Sequence, residues 1–397
     1  MQQAQKNKTR PFKLYWLGPF TPLLATLAAL LVGAVMLLFL GVNPLTAYAA
    51  MIEGAVGSPN ALADTLVKAT PLLFVAAGIC ISFRGGVINI GGEGQLVVGA
   101  LAATAAALAL PGWPGWAIIT LCMMLGFLAG AIWGYIPGAL KAYLNVNEIL
   151  TTIMLNQIAV YGMNYLLSGP LMDPVQIQSG SFIPQTARFS VAADLPRLVP
   201  TRLHLGVLLA VLVAILVWVL LWRTTLGYRI RAVGLSPNAA RRAGIRVERY
   251  AVMALLLSGA LAGLGGAIQV LGVNHRMFTD GSATGFTGSA GFNGIVAALF
   301  GQLHPIGAIP ASALFGAMIV GANQMQRTVQ VPSALITALN GLVVVFVVGS
   351  ELWRRKLARQ REMDQLVVQG TEDVGHPQTP EPPEQTGPSA SEKGAKT

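Results

Sequence analysis

Residues 21–41 read TPLLATLAALLVGAVMLLFLG, a run that contains no charged side chain. About 20 helical residues, each adding about 1.5 Å along the axis, cross a hydrocarbon core that is about 30 Å thick. The stretch therefore predicts a membrane-spanning helix. Because the run is long and lacks an A-x-A-like cleavage site, we do not interpret it as a signal peptide.

Apolar blocks of this kind recur along the chain, and the composition agrees with them. Of the 397 residues, 54% are hydrophobic and only 11% are charged, and the mean hydropathy is +0.62. A soluble domain has about 25% charged residues, so this chain has too little polar surface to face water on all sides. The sequence predicts an all-α, polytopic membrane protein. Its 45 glycines fit that class, because small residues let helices approach closely in lipid.

The apolar blocks predict about ten transmembrane helices. Their expected ranges are Thr21–Gly41, Leu62–Phe83, Val87–Leu110, Ala117–Leu140, Ile149–Ser168, Leu203–Trp222, Tyr250–Gly272, Phe286–Leu303, Ile306–Gln324 and Pro332–Ser350.

Lysines and arginines cluster in residues 1–20, 223–249 and 351–361. Such clusters mark cytoplasmic segments, so we expect both termini and the 223–249 loop on the cytoplasmic side. The predicted regions are a basic N-terminus (1–20), a transmembrane domain (21–350) and a cytoplasmic tail (351–397). The tail is rich in Pro, Glu, Thr and Ser, which predicts disorder after about residue 365. The 169–202 segment is the longest external connection, either a bland connector or a contact for an outside partner.

The net charge of +10 does not indicate a nucleic-acid binder, because the basic residues lie beside apolar blocks. Cys80 and Cys122 fall inside apolar blocks and predict neither a disulfide nor a metal site. Histidines are scattered over separate segments, and no nucleophile–base pattern is visible. We expect no catalytic residue, no metal and no cofactor, and we interpret Lys68 as an interface residue.

The 223–249 loop contains a signal for a short helix. Ser236 is a suitable N-cap, Pro237 fits the first helical position, and Gly244 suits a left-handed stop, so residues 238–243 are expected to be helical. Small alanines permit docking into a groove on a partner, while the arginines reach acidic or phosphate groups. A basic membrane anchor without a partner is the alternative.

The same loop resembles the ATPase-docking loop of bacterial ABC importers for ribose, nucleosides and branched-chain amino acids. The similarity lies in LGYR (226–229), RAVG (231–234), AA (239–240) and AGI (243–245), within a resemblance from about residue 61 to 350. In that family the loop inserts a coupling helix into the nucleotide-binding subunit, which here would be residues 238–245. The resemblance implies ATPase coupling by Gly227, Arg229, Arg231, Gly234, Ala239, Ala240, Gly244 and Ile245.

A glycine-rich stretch, GGVINIGGEGQ (85–95), opens the third predicted helix. Each glycine costs about 1 kcal/mol of helix stability relative to alanine, so local unwinding is expected. Asn89, Glu93 and Gln95 lie within about two turns, and a carboxylate in a membrane helix is a candidate functional group. A structural glutamate that holds a broken helix is the alternative. The strings NIG (89–91) and EGQ (93–95) resemble a signature of the nucleoside-type permeases of this family. Ribose permeases usually carry an aspartate–leucine–serine variant at this place.

Further polar residues lie in two other predicted helices. Asn147 and Asn156 belong to the fifth, where VNE (146–148) and TIMLN (152–156) also match the family. Phe286, Phe292 and Asn293 belong to the eighth, which has glycines at 285, 288, 291 and 294. These side chains suit a solute path, although interhelical hydrogen bonding is the favoured explanation for the amides and packing is the more frequent role of such aromatic residues.

Predicted helices two to five and seven to ten form two four-helix units of opposite orientation. In each unit, the second helix is interrupted by glycines. This arrangement predicts an inverted repeat with a site at its interface.

These observations predict the transmembrane subunit of an ATP-binding cassette importer in the bacterial plasma membrane. Its solute would be a nucleoside or a related ribose-like sugar. The resemblance implies an ABC ATPase, a second permease (identical or not) and an extracytoplasmic solute-binding protein as partners within the lipid bilayer. An ion-coupled secondary transporter is the alternative, with Glu93 and Glu148 as its candidate carboxylates. A membrane-embedded enzyme lacks any visible support.

Overall fold

The computed structural model describes residues 21–180 and 183–332, together with residues 335, 338–339, 341–343, 345–346 and 349–350. The basic N-terminus (1–20), parts of the tenth predicted helix (332–350) and the tail (351–397) lie outside these residues. Within them the chain is helical and forms no β-strand, and the isolated bridges pair Gln185 with Phe278 and Arg197 with His204.

The α-helices are joined mostly by short connections, and the longest is residues 179–205, between the seventh and eighth helices. In chain order they are α1 (Thr21–Phe39), α2 (Pro44–Val56), α3 (Pro59–Arg84), α4 (Gly92–Ala109), α5 (Gly115–Leu144), α6 (Glu148–Leu167), α7 (Pro174–Gln178), α8 (Gly206–Arg223), α9 (Thr225–Leu235), α10 (Pro237–Arg242), α11 (Val247–Gln269), α12 (Ala283–Thr287), α13 (Ala290–Phe300) and α14 (Pro305–Val329). A π-helical turn, Val270–Asn274, extends α11.

Six helices in the described part of the chain are long and apolar enough to cross a membrane: α3, α4, α5, α8, α11 with its π-helical turn, and α14. Of these, α3 and α11 are the most deeply buried in the bundle. Shorter apolar helices are Leu24–Phe39 within α1 and Ala290–Phe300. Helix α6 is less apolar overall, yet it exposes an apolar stripe: Leu150, Met154, Ile158, Tyr161 and Tyr165.

Glycines bring three central helices, α4, α5 and α11, into backbone contact. A Cβ added at Gly130 of α5 would collide with the carbonyl oxygen of Gly259 in α11. One added at Gly99 of α4 would collide with the Cα of Gly263, also in α11. The predicted role of glycine in close helix packing is confirmed.

Four features differ from the sequence prediction. Helix α2 was not predicted, because its 13 residues are too few to span a bilayer. Helix α9 occupies a segment that was predicted as loop, where Thr224 Oγ1 accepts the Gly227 N–H and caps it. The third predicted helix begins at Gly92 rather than at residue 87.

The eighth predicted helix is divided into α12 and α13. Gly288 and Ser289, both at positive φ (61° and 63°), separate the two helices. A helix cannot continue through two consecutive left-handed residues.

The connection between α6 and α8 packs along the segment that follows α11. Thr186 N–H donates to Met277 O (2.8 Å) and Phe189 N–H donates to His275 O (3.0 Å). Leu195 N–H donates to Leu271 O at 3.1 Å. These bonds fix the residues that precede α8 against the end of α11.

Candidate functional site

Two interrupted helices meet inside the bundle. The chain leaves α3 at Arg84, is non-helical through Gly91, and enters α4 at Gly92. Helix α13 begins after the left-handed break at Gly288 and Ser289. A Cβ at Gly291, in the first turn of α13, would collide with Glu93 N of α4. The N-termini of α4 and α13 are therefore in direct contact, and we call this contact the junction.

The junction lies at mid-height of α3. A Cβ on Gly92 would be 3.1 Å from Val75 Cγ1, and one on Gly294 would be 2.6 Å from Val75 Cβ. Val75 is about 13 Å along the helix axis from the end of α3 at Arg84. Both helix N-termini bring partial positive charge to this interior position.

Glu93 supplies a side-chain hydrogen-bond acceptor to the junction. Its side chain is fully buried (0% exposed), and Oε1 accepts the Phe292 N–H of α13 at 3.2 Å. The side chain of Thr287 lies beside the same carboxylate. A carboxylate of α4 thus caps the N-terminus of α13, an arrangement that stabilises both helix ends.

Asn89 and Gln95 lock the non-helical segment against α11. Asn89 Nδ2 donates to Gln95 Oε1 (2.9 Å) and to Ser258 Oγ (2.8 Å). Asn89 Oδ1 accepts from Gln95 Nε2 (3.2 Å) and from the N–H of Gly91 (2.9 Å). Both amides are buried, and their hydrogen bonds support the break itself.

Asn156 of α6 supports the same break from the opposite side. Its Oδ1 accepts the Gly94 N–H (2.8 Å), and its Nδ2 donates to Ile90 O (3.0 Å). Asn147 is separate from this group, because it caps the start of α6 by accepting the Ile149 N–H at 2.9 Å. Of the predicted path residues, Asn89, Glu93, Gln95 and Asn156 are thus brought together.

The remaining predicted path residues lie on α12 and α13. Phe286 is buried, Phe292 is 42% exposed, and Asn293 is half-buried. The backbone N–H of Phe292 meets Glu93, while Phe286 lines a cavity.

This cavity, of about 150 Å³, lies between α3, the end of α11 and α12. Its walls include Pro71, Ile268, Gln269, Phe278 and, from the segment before α8, His204. A larger space of about 460 Å³ shares Val67, Lys68 and Val273 with it. The charged residues around the larger space are Glu53, Asp64, Lys68, Arg202 and Arg327.

Sequence reasoning did not identify His204, Gln269 or Phe278, because they come from segments that are distant in sequence. Lys68, which the sequence analysis interprets as an interface residue, is exposed near the start of α3 and also lines the cavity. The available signal for a cavity-lining residue was a polar side chain among apolar neighbours, as at Gln269.

The segment after α8 forms the opposite end of the molecule. Ser236 Oγ accepts the Ala239 N–H (3.3 Å), Pro237 starts α10, and Gly244 has φ +77°, as the sequence predicted. Ala239 and Gly244 are exposed, whereas Ala240 is only 4% exposed and packs into the bundle.

Helix α9 touches the non-helical segment that leads to the junction. A Cβ on Gly86 would be 2.9 Å from the Cα of Gly234, and one on Gly234 would collide with Arg84 O. Arg229 donates to Tyr250 Oη at 2.8 Å, and Arg231 stacks over Trp222. Gly227 packs against the backbone of Leu221, and Ile245 packs against the core.

Residues 61–348 match a protein family described as "Branched-chain amino acid transport system / permease component". The chain is 34% identical over 330 residues to the guanosine ABC transporter permease protein NupP of Bacillus subtilis, covering 83% of this chain and 92% of the relative. It is 30% identical over 346 residues to the nucleoside ABC transporter permease protein NupB of Lactococcus lactis, covering 86% and 92%.

A third relative is the glucose ABC transporter permease protein TsgB13 of Haloferax volcanii. The identity is 36% over 351 residues, which cover 86% of this chain and 90% of the relative. No solved structure matches the chain.

Proposed function

Because the chain belongs to the permease-component family of the branched-chain amino acid transport system type, we propose that it imports nucleosides as the membrane subunit of an ATP-driven transporter. Members of this family are multi-pass transport permeases and not enzymes. The nucleoside assignment rests on relatives whose names specify guanosine and nucleosides, and a ribose-like sugar is the neighbouring possibility.

The observation that carries this proposal is the junction. Interrupted helices whose N-termini meet near the middle of the bundle are a recurrent design of membrane transporters, where they border a solute site. Here Glu93 of α4 caps α13, and buried amides support the break that precedes α4.

We propose a topology of about ten crossings with both termini in the cytoplasm of a bacterial cell, in the plasma membrane. Helix α2 has 13 residues and would be about 20 Å long, too short to cross. It therefore leaves the even number of crossings unchanged. The two inverted four-helix units remain part of this proposal, with the junction at their interface.

Helix α10 is proposed as the coupling helix for a separate ABC ATPase. Its exposed small residues, Ala239 and Ala243, and the turn at Gly244 form the side open to a partner. Motion of α10 would pass through α9 to Gly86, where the two backbones touch. An external binding protein would deliver solute at the end that carries the larger cavity, and a second permease would complete the pathway.

The ion-coupled alternative needs a carboxylate that is free to take up a cation or a proton. Glu148 pairs with Lys141 Nζ at 2.9 Å, while Glu93 caps α13 through Oε1 and its Oε2 has no hydrogen-bond partner in the described part of the chain. The ATP-driven proposal is preferred because the relatives are named as ABC transporter permeases.

Uptake in proteoliposomes tests the proposal. The permease complex that co-purifies with the chain is reconstituted with its binding protein, and radiolabelled guanosine uptake is measured with and without internal ATP. We expect uptake that requires ATP and persists when a protonophore collapses the proton gradient. Uptake without ATP that disappears with the gradient would establish the ion-coupled mechanism instead.

A further inference from the structure

A third cavity, of about 390 Å³, lies at the end of the molecule that carries α10. Its walls come from α9, from the turn after α10 and from the start of α11, and they include Arg229, Arg246 and Arg249. No acidic residue of the described part of the chain lines it. We call this cavity the basic pocket. Small-molecule sites in proteins usually have about 300–1,000 Å³, so the basic pocket has room for a small ligand.

The three arginines are accessible to a ligand in the basic pocket, because all three side chains are exposed. Arg246 and Arg249 form no hydrogen bond or ion pair with any residue that the structure describes. Arg229 is held in place, since its Nη1 donates to Tyr250 Oη at 2.8 Å and its guanidinium lies over the Tyr250 ring. A guanidinium has five N–H donors, so Arg229 retains donors for a ligand.

The positive charge of the basic pocket is not neutralised by its surroundings. Residues 223–249 contain seven arginines and one acidic residue, Glu248. The Glu248 carboxylate pairs with Arg241 and does not line the pocket. Like charges gathered around one cavity repel one another, so an anion that pairs with them is favoured there.

The start of α11 adds to this positive potential. Arg246 is the N-cap residue of this 23-residue helix, and its side chain makes no capping hydrogen bond. Backbone N–H groups at a helix start carry partial positive charge. The guanidinium groups carry full charges and therefore supply most of the potential.

A phosphate group suits the basic pocket better than a carboxylate does. A carboxylate has two oxygens and one negative charge, whereas a phosphate monoester presents three acceptor oxygens and about −1.5 to −2 charges at pH 7. Arginine forks match phosphate oxygens in a bidentate geometry. Basic pockets on the cytoplasmic side of membrane proteins bind phosphate-bearing lipid head groups, and soluble phosphate compounds offer the same group.

We propose that the basic pocket binds a phosphate group, of an anionic lipid or of a soluble phosphate compound, through Arg229, Arg246 and Arg249. Such a ligand ties α9 and the turn after α10 to the start of α11, and it therefore restrains the base of α10. That the ligand comes from the cytoplasmic side rests on the topology proposed above, whereas the binding itself does not depend on which solute is imported.

Charge-removing variants of the assembled transporter test the proposal. The double variant Arg246→Gln with Arg249→Gln removes two guanidinium groups from the pocket and leaves the buried core unchanged. Arg223→Gln is the matched control, because Arg223 is an exposed arginine at the end of α8 that does not line the pocket. Size-exclusion profiles verify that each variant is folded.

The first arm of the test measures lipid binding. Each transporter is placed in nanodiscs of equal parts phosphatidylcholine and phosphatidylglycerol, and the retained phosphatidylglycerol is counted by native mass spectrometry. If the ligand is a lipid head group, the wild type and the control retain several-fold more phosphatidylglycerol than the double variant does.

The second arm measures the binding of radiolabelled inorganic phosphate to the same transporters in nanodiscs of phosphatidylcholine alone. If the ligand is a soluble phosphate, the double variant binds at least roughly tenfold more weakly than the wild type, because two charged contacts are lost. The difference between variant and wild type removes the contribution of the ATPase sites, which are identical in both.

A loss in either arm that is confined to the double variant supports the proposal and identifies the source of the phosphate. Wild-type binding by the double variant in both arms would overturn it, and so would an equal loss in Arg223→Gln, which would show that overall charge and not the pocket is responsible. The function proposed above is tested separately. A wild-type transporter that binds phosphate here but takes up no guanosine would refute nucleoside import and leave the basic pocket in place.

Discussion

Glu93 belongs to α4 but caps α13, so a single side chain determines how the two interrupted helices meet. Its carboxylate lies between helix ends that present N–H groups, and Oε1 accepts one of them.

We expect Glu93→Gln to insert and fold but to reduce ATP-driven guanosine uptake several-fold. The new amide retains one acceptor but places an NH2 group among N–H donors, which weakens the junction more than the fold. Uptake and the melting temperature are measured together, with Glu93→Ala expected to lose both. Wild-type uptake by the Gln variant would assign Glu93 a purely structural role.

At single residues, the sequence predicted part of the site. The spacing of Asn89, Glu93 and Gln95 indicated one cluster, and the structure joins Asn156 to it. The sequence could not indicate that the Asn156 side chain bonds to backbone atoms or that the Phe292 N–H donates to Glu93, because these contacts depend on tertiary packing.

Among the structural elements, breaks and caps were predicted best where local chemistry decides them. Ser236, Pro237 and Gly244 delimit α10 as expected, and the glycine-rich stretch is non-helical up to Gly91. The break between α12 and α13 falls within the helix predicted as Gly-interrupted, but four glycines at regular spacing did not indicate that it lies at Gly288 and Ser289. Helix α2 was missed because length, the criterion for a membrane span, excludes it.

Contact between α9 and the non-helical segment leads to a second prediction. Gly234→Val would force the backbones at Gly234 and Gly86 apart, costing about 1–3 kcal/mol. We expect a lower melting temperature and ATP hydrolysis that no longer drives uptake. Gly162→Ala, in a helix position with open space, is the matched control and should change the stability by less than about 1 kcal/mol.

Helix packing provides a third prediction, for α5 against α11. Gly130→Val would place two methyl groups where the carbonyl oxygen of Gly259 now lies. Because these backbones are in contact, the helices must separate, and we expect a failure to obtain monodisperse protein. Normal size-exclusion behaviour and thermal stability of this variant would show that the packing tolerates separation.

For the whole molecule, the family match over residues 61–348 agrees with the resemblance predicted for about 61–350. Apolar length and basic clusters predicted a multi-pass permease, because lipid imposes those constraints on sequence directly. These constraints do not specify the solute or the partners. The central claim is therefore mechanical: a separate ATPase acts on the end of the molecule formed by α10.

Disulfide cross-linking at α10 tests this claim most directly. Ala239→Cys places an exposed thiol on α10, while the native Cys80 and Cys122 are buried. In inside-out vesicles containing the assembled transporter, oxidation is expected to join this thiol to cysteines introduced along the helix-binding groove of the ATPase subunit, with Gln178→Cys giving no product. Labelling of the Ala239→Cys thiol by an impermeant maleimide from outside intact cells, or no cross-link to the ATPase, would contradict the account.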